Sequence, residues 1–174
     1  TDAVMLSAET AAGDFPIDAV EAMNRIILGA EQQPQSIKSS HRLHKDFVGV
    51  DESIALSVMY TANHLQGVKA IISMTESGKT PLLMSRISSG LPIFALAPKE
   101  STRRRMALYR GVQPMHFDPS SLPNHEINQK AVDCLLAAGE VVAGDLVIIT
   151  KGDYVNVHGG TNTMKVVQVG QQIK

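Results

Sequence analysis

The sequence predicts an α/β domain of three layers, built on a five-stranded, mostly parallel sheet in the order 3-2-1-4-5. Three observations carry that prediction. Short apolar runs alternate with segments of helical periodicity, which implies right-handed crossovers between parallel strands. Three successive crossovers are followed by a fourth strand, for which 3-2-1-4-5 is a common doubly wound order. The last two runs are separated by ten residues, 151–160, without a helical pattern, so the last strand is expected to be antiparallel and at the edge.

Taken in order, Ala3, Val4, Met5 and Leu6 read as a strand and residues 7–13 as a loop of small side chains. Asp14, Phe15 and Pro16 open a helix, proline being suited to a first turn, and Ile17, Val20, Met23, Ile27 and Ala30 recur in it at helical spacing. Residues 32–49 lose periodicity and collect Gln, Ser, Lys and His, the composition of a linker. From Asp51 a helix is expected, with Ile54, Val58, Ala62 and Leu65 as its buried stripe and Gly67 as its stop. Strands are expected at 68–74, 92–97, 112–117 and 145–150, separated by helices at 81–89, 102–110 and 125–138, and a final strand at 161–169.

The chain's 174 residues carry 16 Lys and Arg against 17 Asp and Glu, a formal charge of −1. That balance argues against nucleic acid or a membrane surface as partner, since both are usually met by a clustered positive excess. A single cysteine, Cys134, excludes an internal disulfide and a thiolate cluster for zinc, and points to a reducing, cytoplasmic setting. No apolar run approaches the ~18 residues of a membrane span. A chain of this length can build one core without a disulfide or structural metal. It opens on Thr1 and Asp2 and falls at once into the apolar residues 3–6, an abrupt start expected either from removal of an initiator methionine or from a cut through a larger protein.

In the order 3-2-1-4-5 the switch point lies between the first and fourth strands, and ligands bind there, beyond the carboxyl ends of the strands. The loops concerned are 75–80 and 151–160. Thr75, Glu76, Ser77, Gly78, Lys79 and Thr80 join a strand to a helix, with Thr80 expected as cap and Pro81 as first helical residue. Hydroxyls, a glycine that lets the backbone close on a ligand, and a lysine at a helix N-terminus suit a phosphate; a capped turn satisfying its own backbone is the other reading. Gly78-Lys79-Thr80 also resembles the end of a nucleotide-binding P-loop, but that motif needs a glycine where Ser73 stands. The second loop holds Lys151, Gly152, His158, Gly159 and Gly160, a hairpin composition that also permits close approach to an anion.

Other features carry less. Arg103, Arg104 and Arg105 form the dense positive run, but successive helical positions point about 100° apart, so the three cannot share a face and suit a solvated surface or a subunit contact. His41 and His44 lie in the linker without the cysteines or paired carboxylates of a metal site. Cys134 sits beside Leu135 on the apolar face of its helix. There is no nucleophile elbow, no dinucleotide fingerprint and no set of carboxylates fit to hold magnesium for phosphoryl transfer.

The segment Asp2-Ala3-Val4-Met5-Leu6-Ser7-Ala8-Glu9-Thr10-Ala11-Ala12-Gly13-Asp14-Phe15-Pro16 resembles the part of pyruvate kinases that contains the last strand of their catalytic barrel and enters its last helix. Further stretches agree in order: Met74-Thr75-Glu76-Ser77-Gly78-Lys79-Thr80, Leu108-Tyr109-Arg110-Gly111-Val112, Gly144-Asp145-Leu146-Val147-Ile148-Ile149 and Gly160-Thr161-Asn162-Thr163-Met164. The resemblance implies that residues 1–34 are one incomplete β/α unit of a (β/α)₈ barrel and that 35–174 are the C-terminal regulatory domain. It implies a parent enzyme that transfers a phosphoryl group from phosphoenolpyruvate to ADP, with magnesium and potassium, as a cytoplasmic homotetramer. The catalytic lysine and acidic metal ligands would lie upstream, so the chain itself is expected to be inactive and to bind no cofactor.

For the site, the resemblance implies that Thr75, Ser77, Gly78, Lys79 and Thr80 contact the phosphate of an effector, while Lys151, His158, Gly159 and Gly160 belong to a loop that closes over it. Two positions depart from bisphosphate-responsive relatives: Glu76 stands where a basic residue can follow the first threonine, and Ile127 where an arginine serves a second phosphate. The expected effector is therefore a monophosphorylated sugar or a nucleoside monophosphate, or the pocket no longer responds. Ser7, Glu9 and Thr10 would sit at the barrel mouth, and the last strand would pair with its symmetry mate. The competing reading is a free-standing phosphate-binding or scaffold domain with no enzymatic parent.

Overall fold

Strands form where apolar residues run together, and the buried apolar side chains gather on the two faces of one sheet. A computed structural model describes residues 2–33, 46–153 and 160–173. Within them the order is α1 (Ala8–Ala11), α2 (Pro16–Glu31), α3 (Val50–His64), β1 (Val68–Met74), α4 (Lys79–Ser85), β2 (Ile93–Ala97), α5 (Glu100–Met106), β3 (Val112–His116), α6 (Ile127–Ala137), β4 (Leu146–Gly152) and β5 (Thr161–Gln168). The sheet order is β3-β2-β1-β4-β5, as the sequence predicts. β1 pairs in parallel with β2 and β4, β2 with β3, and β5 runs antiparallel to β4.

Every residue of β2 is buried, the signature of a parallel strand covered on both faces. On one face Ile71, Ile93, Ala95, Ala97 and Ile148 meet Ala55, Val58, Met59 and Ala62 of α3, Met84 of α4 and Met106 of α5. On the other, Ala70, Ile72, Phe94, Leu96, Val147 and Ile149 meet Ala131, Val132 and Leu135 of α6, with Val169 and Ile173 of the C-terminal tail. The three layers are thus α3, α4 and α5, the sheet, and α6. The stripe expected on α3 is rotated slightly: Ala55 and Met59 join Val58 and Ala62, while Leu65, one residue beyond the helix, is exposed. Cys134 is half-buried at the margin of the α6 face.

Several boundaries correct the sequence reading. Residues 3–6 form no strand, because a strand exists only through its ladder and no partner is present among the described residues. A single helical turn, α1, occupies part of the expected loop 7–13. α4 ends at Ser85 and α5 at Met106, each four residues short of expectation. Past both ends the chain tightens into i→i+3 bonds, Ile87 N–H to Met84 C=O and Tyr109 N–H to Met106 C=O, both 2.9 Å. The linker 32–49 and the expected boundary at 34–35 fall mostly on residues outside those described, as do His41 and His44.

The N-terminal segment is held to the sheet domain by Asp2. Its carboxylate pairs with the Arg86 guanidinium and accepts the Arg110 N–H at 3.1 Å. α2, by contrast, buries none of its residues.

Candidate functional site

From β1 the chain passes through α4 to β2 on one side; from β3 it returns through α6 to β4 on the other. The loops after β1 and β4 therefore part at the carboxyl edge, the position of a switch-point crevice. The floor there is hydroxylic. Ser73 and Thr150, partners across the β1–β4 ladder, are both fully buried, and the Thr150 hydroxyl donates to Ser73 Oγ at 3.2 Å. Above them the buried hydroxyls of Thr80, on α4, and Thr161, at the start of β5, meet at 2.7 Å. This bond ties the end of the first loop to the first residue of β5, which follows the second loop.

Gly78 sets the shape of the first loop. It adopts the left-handed conformation, φ 77°, and a Cβ there would stand 2.9 Å from Met106 Cγ, so both conformation and space require glycine. The turn makes Gly78 the N-cap and Lys79 the first helical residue, with Leu82 N–H bonded to Gly78 C=O at 3.1 Å. This corrects the expectation that Thr80 caps the helix and Pro81 opens it. Pro81 is accommodated two residues later, still in the first turn, where its missing N–H leaves no bond unmade.

The loop hydroxyls first serve the loop itself. Thr75 Oγ1 accepts the Gly78 N–H at 2.9 Å and Ser77 Oγ the Lys79 N–H at 3.4 Å. Because each accepts, its own O–H remains available to donate to an anion. α5 grips the outer side: the Thr102 hydroxyl donates to the Glu76 carbonyl at 2.9 Å and Arg105 Nη2 to the Ser77 carbonyl at 2.8 Å.

The charges are not where spacing suggests. Lys79 Nζ lies 2.6 Å from Oδ2 of Asp51, in the first turn of α3. That hydrogen bond, then the charge of Asp51, raises the Lys79 ammonium above the ordinary lysine value. The Glu76 carboxylate, largely buried, faces Lys99 at 3.7 Å. Lys151 and Gly160 are half-buried at the ends of β4 and the second loop; His158 and Gly159 lie outside the described residues. Gly152 lies so close to the returning chain that a Cβ would stand 2.5 Å from the Gly160 carbonyl oxygen. Asp153 closes the shoulder of this loop, its N–H donating to Asn162 Oδ1 at 3.2 Å and its Oδ2 accepting from Asn162 Nδ2 at 2.8 Å.

The three arginines separate as the helical spacing requires. Arg103 donates to the carbonyls of Ala97, at 3.0 Å, and Pro98, at 2.6 Å; Arg104 pairs with Glu100 on the surface; Arg105 alone reaches the loop. Asp51, Thr102, Arg105 and Met106 went unrecognised in the sequence. Each touches residues 76–79 across a gap of more than twenty positions, and no periodic signal links such pairs. A cleft of about 420 Å³ opens at the opposite, amino edge of the sheet, lined by Ser88, Ser89, Arg110 and Gly111 among others, away from these loops.

Fold and site define a doubly wound α/β domain whose switch-point loops carry glycines, hydroxyls and a lysine. The family described as pyruvate kinase, alpha/beta domain, matches residues 52–167. Pyruvate kinase II of Salmonella typhimurium is 55% identical over 169 residues, covering 97% of this chain and 35% of that protein. Pyruvate kinases of Haemophilus influenzae and Geobacillus stearothermophilus are 51% and 41% identical, over 87% and 95% of the chain and 32% and 28% of their own length. The chain belongs to the pyruvate kinase family and corresponds to its C-terminal part. It spans about a third of the length of the curated relatives it matches.

Proposed function

We propose that this chain is the regulatory part of a pyruvate kinase and that residues 75–80 hold the phosphate of a monophosphorylated sugar or nucleoside monophosphate. One observation supports the reading: the loop 75–80 ends at the switch point between β1 and β4, where Thr80 is bonded at 2.7 Å to Thr161, the first residue of β5 after the second loop. Thr75 and Ser77 would donate their hydroxyls, Gly78 would allow close approach, and Lys79 would supply the charge, with Thr80 at the base. Lys151, His158, Gly159 and Gly160 would form the covering loop. The buried Glu76 carboxylate disfavours a second phosphate nearby.

The parent enzyme would transfer a phosphoryl group from phosphoenolpyruvate to ADP with magnesium and potassium, in the cytoplasm and as a homotetramer joined in part along β5. Residues 1–34 would be its last barrel unit and 35–174 the regulatory domain. Among the described residues no three His, Cys, Asp or Glu side chains converge to hold a metal. No helix among them is long and apolar enough to cross a membrane.

Thermal unfolding with a panel of mono- and bisphosphorylated sugars and nucleotides tests the reading. A ligand at about 100 times its Kd adds roughly 2.7 kcal/mol. Monophosphates are expected to raise Tm and bisphosphates to do less, with Ser77→Ala and Lys79→Ala abolishing the shift. A shift that survives both substitutions places the site elsewhere.

A further inference from the structure

We propose that Asp51 is a built-in competitor for Lys79: its carboxylate holds the lysine until a phosphate takes the ammonium, so that ligand binding unlatches the start of α3. The inference rests on the phosphate-loop reading above and concerns how that loop is regulated.

The pair is asymmetric. The Lys79 side chain is 55% exposed and has solvent on its outer side, whereas that of Asp51 is 6% exposed. Asp51 Oδ1 accepts the Glu52 N–H at 3.1 Å, while Oδ2 is shut off from water and has the Lys79 ammonium as its single partner among the described residues. Glycine before α3 leaves room for the same group: a Cβ at Gly49 would stand 2.5 Å from Asp51 Oδ1. A lysine drawn to a ligand therefore leaves a buried carboxylate uncompensated, a costly arrangement unless the first turn of α3 shifts or admits water. By linkage, whatever the pair contributes before binding is subtracted from ligand affinity, and binding loosens the residues that Asp51 anchors. The cation best placed for the phosphate is thus already held by an internal carboxylate seated at the entrance to the sheet domain.

Calorimetric titration of the full native polypeptide with inorganic phosphate, paired with amide exchange at residues 50–53, tests this. Asp51→Asn is expected to bind phosphate about three- to tenfold more tightly than wild type, a gain absent when Lys79→Ala is added. In the wild type, saturating phosphate is expected to speed exchange at residues 50–53. If wild type binds, Lys79→Ala weakens binding and Asp51→Asn binds no tighter, the competitor is refuted and the phosphate loop stands. If no variant binds, the phosphate loop falls and the competitor with it. If Asp51→Asn does not fold, the wild-type exchange decides: unchanged protection at 50–53 refutes the latch.

Discussion

α2 and α6 carry similar apolar patterns and meet opposite fates. α2 is the longer, 16 residues against 11, yet buries none of them, while α6 buries Ile127, Asn128, Ala131, Val132 and Leu135. Phe15 and Ile17 at the start of α2 are 71% and 73% exposed. The difference lies in what each helix faces. α6 has a sheet whose Ile72, Phe94 and Ile149 fill the space beneath it; α2 has no second layer among the described residues. An amphipathic pattern states what a helix is able to bury, and a neighbouring layer decides whether it does.

The largest test of that contrast is a matched pair of truncations. Leu135→Ala, at a fully buried site, is expected to destabilise by about 2–5 kcal/mol. Ile26→Ser, on exposed α2, is expected to stay within about 0.5 kcal/mol. Chemical denaturation of the 174-residue chain measures both, and equal losses would mean that α2 is packed in solution. Gly78→Ala comes next. Forcing alanine to φ 77° against Met106 is expected to cost about 1–3 kcal/mol and to weaken phosphate binding as well, which separates a loop position from a core position.

The smallest effect concerns the tie between the two regions. The hydrogen bond from Arg86, then the Arg110 N–H, holds the Asp2 carboxyl below the ordinary aspartate value. Its stabilising contribution is therefore fully present above the unfolded pKa and is lost as pH falls through the lowered folded one. Asp2→Asn is expected to cost under about 1 kcal/mol near neutrality, and the difference from wild type to vanish at sufficiently acid pH. A constant difference across the titration would show that the carboxylate is not what joins the regions.

The topology was legible because alternating periods and a short final connection determine it: β1 to β5 fall where apolar runs fall. The helix ends were less so. Leu108, Tyr109 and Arg110 continue a plausible helix on paper, but the chain must turn at Gly111, φ 68°, to enter β3, and the last residues tighten into turns instead. Thr80 looks like a cap next to Pro81, yet its hydroxyl is spent on Thr161 and Gly78 takes the cap position. The loop 75–80 stood out by its hydroxyls, glycine and lysine, whereas its contacts with Asp51 and Arg105 did not. Both reach it through tertiary packing, and a long-range ion pair leaves no mark in local spacing.

α4 has a mechanical consequence. At 1.5 Å per residue, its seven residues span only about 10 Å. Lys79 and Thr80 stand at one end, and Arg86, the grip on Asp2, follows the other directly. So short a helix has almost no compliance of its own. The hydroxyl pair at the sheet's carboxyl edge and the tie to Asp2 are therefore set apart by one short, stiff element, so the loop 75–80 and the N-terminal segment share a single strut.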